Sequence, residues 1–407
     1  MKFIITYLNN HFARCLLVSV LVGIALSFVM GEQVVILKPL GTVFTRLLVM
    51  VVPVLVFFSI ASSFASIGDV SKLKRWASKI IGWFVLSMLI ASIIGITMGL
   101  IFKPGLGIEL TSSDFKFTEV TVDMFIEWLP KNFLGAIAEG NIIQIVFLAI
   151  FVGIAVVTMP DGKHKSFLTE TLDSGQALVL TIVKGIMYYA PIGIAALMAT
   201  SIGELKGSFV TQMANFLMAY TIAFVVQVIL VYFVLLYTVG KINPFSFTKR
   251  LLPALITAFT TTSSAATLPV NIKCLKDMGV DEEMTNFGLP LGVTFNMDSM
   301  GIEVPLYIML GMYAIGLSPS IGELFLFAIM GVIFSVGCAG VPGGGLAIAT
   351  ILVSAFGLPT EVVAWIAAIF VYLDVTGTPM NIWGDAVCTA IVASKENKID
   401  WNKMNHY

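Results

Sequence analysis

Asp374-Val375-Thr376-Gly377-Thr378-Pro379-Met380-Asn381-Ile382-Trp383-Gly384-Asp385 interrupts a long apolar run near the end of the chain, and its polar residues repeat with a helical period. Asp374, Thr378, Asn381 and Asp385 fall at i, i+4, i+7 and i+11, so at about 100° per residue they share one narrow stripe of a helix. Interhelical packing is the plain reading of such a stripe. Two acids without a base make poor glue, however, and coordination of a ligand accounts for them better.

The surroundings sharpen this. From Asp277 to Ser394 the chain runs 118 residues without a Lys, Arg or His, yet carries ten carboxylates. Asp298, Asp374 and Asp385 sit in segments long and apolar enough to lie in a bilayer, where an uncompensated charge costs about 2.5 to 3.5 kcal/mol on insertion scales. A metal ion, a proton or a cationic group on a substrate must therefore compensate them.

Composition sets the class. Of 407 residues, 58% are hydrophobic and 12% charged, and the mean hydropathy is +0.98. Such a chain supplies many apolar spans, which predicts an all-α polytopic membrane protein and excludes a soluble one. The net charge of -1 and the lack of long charged runs give no reason to expect nucleic acid as a partner. Cys15, Cys274, Cys338 and Cys388 form no CxxC or zinc spacing. The run from Leu16 to Val29 lacks a convincing cleavage site and reads as a first span rather than a signal peptide.

Polar punctuation places spans at 13–30, 40–66, 79–102, 123–158 (long and broken), 174–201 and 208–240. Beyond residue 250, apolar helices at 284–315 and 359–393 alternate with two interrupted stretches, 251–275 and 321–357. Interrupted segments in corresponding positions point to a transporter's binding site, because broken helices offer backbone termini to a ligand at mid-membrane. Lys72, Lys74, Arg75 and Lys79, then Lys163 and Lys165, then Lys241, Lys249 and Arg250, and finally Lys395, Lys398 and Lys403 all fall on one side if both interrupted stretches are re-entrant hairpins. That side is then cytoplasmic and holds both termini.

The first hairpin carries Thr260-Thr261-Thr262-Ser263-Ser264-Ala265-Ala266-Thr267-Leu268-Pro269. These hydroxyls either bond back to their own helix or, with free amide N–H groups at a tip, bind an anionic group. The second carries Ser335-Val336-Gly337-Cys338-Ala339-Gly340-Val341-Pro342-Gly343-Gly344-Gly345, a simple turn or a gate. Between them, Asn296-Met297-Asp298-Ser299-Met300-Gly301 reads as an unwound turn offering oxygens to a hard cation, or as a polar pair that only packs helices.

Taken in order, TTSSAATLP, NMDSM, VPGGG and DVTGTPMNIWGD resemble the serine-rich tip, NMDGT, gate and last-helix motifs of the dicarboxylate/amino acid:cation symporter family, which includes the glutamate transporters. The resemblance covers nearly the whole chain. It implies eight transmembrane helices plus two re-entrant hairpins, with a scaffold at approximately 10–70 and 120–202 and a transport domain at approximately 76–104 and 205–395. It also implies a homotrimer in a bacterial inner membrane, working by an elevator motion, with no enzymatic activity and no cofactor beyond coupling sodium ions.

Residue by residue, the resemblance implies one sodium site from Gly292, Asn296, Asn381 and Asp385, and a second from carbonyls of Thr294, Ser335, Val336 and Cys338. A third would use Asp298, Asn296 and Ser92, although Met88 and Ala91 stand where the family has two hydroxyl residues. The substrate pocket would comprise Ser263, Ser264, Met300, Val341, Gly343, Gly345, Asp374, Gly377, Thr378 and Asn381. Asp374 would take an amino group, and Asn381 with Ser264 an α-carboxylate.

Family members that carry acidic substrates have an arginine where this chain has Gly377, and a threonine where it has Met300. Without a bidentate clamp a second carboxylate is desolvated with no partner. The expected substrate is a small neutral amino acid of the serine, threonine or alanine type, moved with sodium. A sodium- or proton-coupled carrier of acidic amino acids or C4-dicarboxylates is the alternative. An ion channel would need filter-like repeats that are not seen, and the aspartates look like coordination rather than the shared-proton dyad of an intramembrane protease.

Overall fold

The computed structural model describes residues 15, 18–19, 21–65, 71–108, 129–139, 142–338, 344–359 and 361–405. Among these residues all regular structure is helical, apart from an isolated antiparallel bridge between Val280 and Ile399. After α1 (Leu21–Met30) and a 3-10 turn, the order is α2 (Lys38–Ala65), α3 (Ser71–Phe102), α4 (Phe133–Glu139), α5 (Ile142–Thr158), α6 (Lys163–Met187) and α7 (Ala190–Val226). Then follow α8 (Pro244–Thr261), α9 (Ser264–Asp277), α10 (Glu282–Phe295), α11 (Asp298–Ala314), α12 (Ile321–Gly337), α13 (Gly344–Ala355), α14 (Glu361–Lys395) and α15 (Trp401–Asn405).

Local chemistry starts these helices. Asn243 accepts the N–H groups of Phe245 and Ser246, with Pro244 pre-set at the first turn of α8. Asp281 caps α10 in the same way, and Ser320 with Glu323 forms a capping box at α12.

Among the described residues, three helical stretches are long and apolar enough to cross a membrane: Ser78–Phe102, Thr211–Gly240 and Glu361–Lys395. The pair Lys163–Ile186 and Ala190–Thr200, bent by 57°, makes a fourth. The fourth, together with Thr211–Gly240, falls where separate spans are expected at 174–201 and 208–240. The helix itself breaks at Tyr188-Tyr189 and then runs unbroken from Ala190 to Val226, continuing in π-helical turns to Gly240, so the two spans are joined by helix and not by a loop. Pro191 follows the break, since proline starts a helix readily but cannot continue one. The polar Glu204-Leu205-Lys206 stretch expected to separate the spans consists of good helix formers, so it changes polarity without ending the helix.

Two packing groups meet along α7. In one, α2 packs against α5, α6 and α7, and the Tyr189 hydroxyl donates to the Leu40 carbonyl at 3.2 Å. In the other, α3 packs against α11 and α12, while α14 packs against α8, α10, α11 and α13. The later part of α7 belongs with this second group: Gln212 accepts the Gly105 N–H at 3.0 Å, and the Thr221 and Tyr372 hydroxyls lie 2.8 Å apart.

At the centre of the second group every residue of α11 is buried, the place for a helix apolar on all sides. Its two acids, Asp298 and Glu303, are buried with it. Basic residues gather at one end: Lys79 pairs with Glu396, Lys398 with Asp281 at 3.3 Å, and Arg250 donates to the Lys403 and Asp277 carbonyls at 2.9 and 2.6 Å.

Candidate functional site

The site is built on a break. Between α10 and α11, Asn296 and Met297 leave the helical conformation, with φ, ψ of -112°, 104° and -123°, 77°. Only these two residues unwind. The polar run from Asp298 to Gly301 is already helical, because the Asn381 side-chain oxygen accepts the Ser299 N–H at 2.9 Å and so satisfies a free donor of the new helix. The Asn381 amide meets the Met297 sulfur at 3.2 Å. The helix α14 therefore crosses the break, and its stripe serves two chambers, one on each side of Asn381.

The first chamber holds Asp385, Asn296 and Asp298, all fully buried. The Asn296 amide donates to Asp385 Oδ1 at 3.0 Å. Asp298 Oδ2 accepts the Tyr232 hydroxyl at 2.6 Å and the Ser87 hydroxyl at 2.9 Å, and Gln227 braces Ser87 at 3.2 Å. One oxygen on each remains, Asp298 Oδ1, Asp385 Oδ2 and Asn296 Oδ1, buried and without a hydrogen-bond partner among the described residues. Buried acceptors left without donors call for an explanation, and a hard cation that takes oxygen ligands is one. A Cβ on Gly292 would lie 2.5 Å from the Asp385 carboxyl carbon, so only glycine lets that carboxylate lie against the α10 backbone.

The remaining expected sodium ligands are spread over several helices. Ser92 is buried, but its hydroxyl donates to the Phe327 carbonyl at 3.3 Å; Ser87 and Tyr232 supply the hydroxyls on Asp298. Met88 and Ala91 lie against Gly301. Thr294 is on α10, with Ser335 and Val336 on α12 and Cys338 just beyond it, and these two helices pack together. The Ser335 carbonyl receives the Cys338 N–H at 3.4 Å, and its hydroxyl donates to the Gly331 carbonyl at 2.7 Å.

The second chamber is a pocket of about 30 Å³, room for about one water. Asp374, Gly377, Thr378 and Asn381 line it from α14, Met300 and Ser299 from α11, Thr262 and Ser264 from the first hairpin, and Cys338 and Gly345 from the second. Phe370 and Leu373 complete an apolar wall. Thr262 joins α8 to α9 in a left-handed conformation, φ 47°. Ser263 sits beside the pocket lining and caps α9 by accepting the Ala266 N–H at 3.2 Å. The plain reading holds for Thr260 and Thr261, whose hydroxyls bond back to their own helix. Val341 and Gly343, with most of the expected gate, lie outside the described residues.

One pocket acid is absent from the residues expected to line it. Glu303 is 3% exposed, lines the chamber and accepts the Tyr307 hydroxyl on Oε2 at 2.6 Å. Its signal in the sequence is a Glu-Tyr pair at i, i+4, five residues after Asp298 in the same apolar helix. Gly377 proves to be a close-packing position. A Cβ there would meet the Ser299 Cβ and Oγ at 2.9 Å and the Tyr220 hydroxyl at 3.2 Å. Ser299 stands where the NMDGT motif has glycine, so the volume next to Gly377 is partly filled from α11.

The profile of the sodium:dicarboxylate symporter family matches residues 12–395. The chain is 26% identical to the "Proton/glutamate-aspartate symporter" of Escherichia coli (strain K12), over 91% of this chain and 88% of the relative. It is 28% identical to the "C4-dicarboxylate transport protein" of Agrobacterium fabrum, over 97% of this chain and 90% of the relative. It is 30% identical to the human "Neutral amino acid transporter A", over 91% of this chain and 77% of the relative. With an acidic stripe on a spanning helix, a broken helix beside it and a family profile matched along nearly its whole length, this chain belongs to the sodium:dicarboxylate symporter family of membrane transporters.

Proposed function

We propose that the protein is a sodium-coupled symporter that imports small neutral amino acids of the serine, threonine or alanine type. The observation that carries this reading is the pocket lining: among the described residues it contains Asp374, Glu303, hydroxyls and an amide, but no Lys, Arg or His. A zwitterion places its ammonium at Asp374 and its α-carboxylate at the Ser264 tip and Asn381. A second carboxylate would meet acids instead of a clamp. The three unpartnered oxygens of Asp298, Asp385 and Asn296 support sodium as the coupling ion.

Coupling follows from the shared break. Asn296 holds Asp385 in the cation chamber, while Asn381, one helical stripe away, holds the start of α11 and lines the pocket. A cation that fixes Asn296 and Asp385 thereby orders the pocket, and linkage makes the substrate tighten the cation in return. The wider reading comprises eight spans with two re-entrant hairpins, a homotrimer, an elevator motion, and an inner membrane with both termini cytoplasmic. The two packing groups along α7 are consistent with a scaffold and a transport domain, and the basic end is consistent with a cytoplasmic face.

Carriage of acidic amino acids or C4-dicarboxylates, with sodium or protons, is the second reading. It is favoured by the names of relatives such as those from Escherichia coli and Agrobacterium fabrum. Uptake into proteoliposomes separates the two. An inward sodium gradient should drive serine, threonine or alanine uptake, and aspartate and succinate should fail to compete. Strong aspartate or succinate uptake by the unmodified protein overturns the neutral reading.

A further inference from the structure

Glu303 is a second carboxyl in a pocket that already has one acid to receive an ammonium. It is 3% exposed, and the Tyr307 hydroxyl donates to its Oε2 at 2.6 Å. Tyr307 is itself held by a stack on Phe216, with ring centroids 5.8 Å apart and planes 9° apart. The Tyr220 hydroxyl adds an electrostatic contact to Glu303 and also reaches the space beside Gly377. A Cβ on Gly345, on the facing hairpin, would stand 3.5 Å from Glu303 Oε2 and 3.5 Å from the Met300 sulfur. Glu303 thus lies between the Gly377 side of the chamber and the second hairpin, on a helix whose every residue is buried.

We propose that Glu303 selects the substrate's side chain by hydrogen-bonding a hydroxyl, so that the transporter prefers serine and threonine over alanine. The inference rests on the neutral amino acid reading above. A carboxyl buried in this way needs a polar partner in either protonation state. A hydroxyl suits both, since it donates to a carboxylate and accepts from a carboxylic acid. Two tyrosines satisfy only part of a carboxylate's acceptor capacity. An alanine methyl leaves the remainder facing an apolar group, and a side-chain carboxylate meets the like charge of Asp374 and Glu303.

The test is binding by the full-length purified protein in saturating sodium, read by calorimetry with serine, threonine, alanine, aspartate and ornithine. A hydrogen bond to a charged group predicts that serine binds about tenfold or more tighter than alanine. Glu303→Leu should bring the serine-to-alanine ratio close to one, and Glu303→Gln, of the same shape, should lower it several-fold if the leucine variant fails to fold. Equal affinity for serine and alanine in the unmodified protein, or an unchanged ratio in either variant, overturns the role of Glu303. Ornithine binding tighter than serine also overturns it, making Glu303 a counter-ion. Binding of aspartate with no neutral amino acid bound is a different failure, since it removes the neutral reading itself.

Discussion

The two chambers along α14 are built from the same kinds of residue and solve opposite problems. Around Asp385 and Asp298, the hydroxyl donors of Ser87 and Tyr232 are spent on one oxygen, and three other buried oxygens face no donor among the described residues. Around Asp374 and Glu303, the acids are mixed with hydroxyls and bounded by Phe370, Leu373 and Met300. On the reading proposed above, the first arrangement selects by charge, because a hard cation satisfies several oxygen acceptors at once. On the same reading, the second selects by shape and by the direction of each hydrogen bond. Carboxylates inside one apolar helix bundle would thus serve different tasks according to the donors and acceptors around them.

The largest expected effect separates the chambers. Asp374→Ala removes the partner of the substrate ammonium, a loss of about 3 to 5 kcal/mol for a buried pair, so amino acid binding should fall below detection. Sodium-dependent thermal stabilisation of the same variant should persist. If it vanishes, the two chambers are one site.

Next is Asp385→Asn. Removing one charge from the cation chamber should weaken apparent sodium affinity by roughly ten- to a hundredfold, on the scale of an interaction with a charged group. By linkage, substrate affinity at fixed sodium should fall with it. Titrations of sodium against stability, with and without serine, check both; unchanged sodium affinity would remove Asp385 from the ligands.

A smaller loss probes the packing that shapes the cation chamber. Gly292→Ala forces a Cβ into the Asp385 carboxyl, which should cost about 1 to 3 kcal/mol as over-packing does. Gly185→Ala, where the structure shows nothing within 4 Å, should cost nothing. Equal melting temperatures for the two variants would mean that α10 and α14 separate more easily than their contact implies.

The smallest and most informative effect concerns the pocket. Gly377→Arg alone should destabilise the protein, because Ser299 and Tyr220 occupy its first ångströms. Adding Ser299→Gly makes room, and the pair should shift preference toward aspartate by about 1 to 2 kcal/mol relative to serine, the scale of a modest charge-assisted hydrogen bond. Competition binding reads that ratio directly. A double variant that folds and still ignores aspartate would show that more than the missing arginine excludes acidic side chains.

Much of this was legible before any tertiary structure. The stripe from Asp374 to Asp385 could be read because helical period is a local property, and the tip at Thr262 because runs of hydroxyls in an apolar stretch mark an interruption. Glu303 was harder to see, since one acid in an apolar helix has no partner on its own face except Tyr307, and a tyrosine reads as core. Ser92 shows the limit best. It is five residues from Ser87, which turns the helix by about 140°, so one of the two can face Asp298 and the other cannot. Which of them does depends on how α3 is rotated against α11.

Sequence alone determined that this is a membrane protein with acids in its interior, because hydropathy and the 118-residue absence of basic residues are properties of the chain's composition and order. It also determined that α14 would present its acids together. Tertiary structure decided which oxygens were left without donors, because Asp298 finds Ser87 and Tyr232 from 211 and 66 residues away. It decided too that Gly377 is a packing requirement as well as a missing arginine, since Ser299 comes from another helix. Donor counts and close contacts are sums over neighbours brought by the fold, and no local pattern in the chain encodes who those neighbours are.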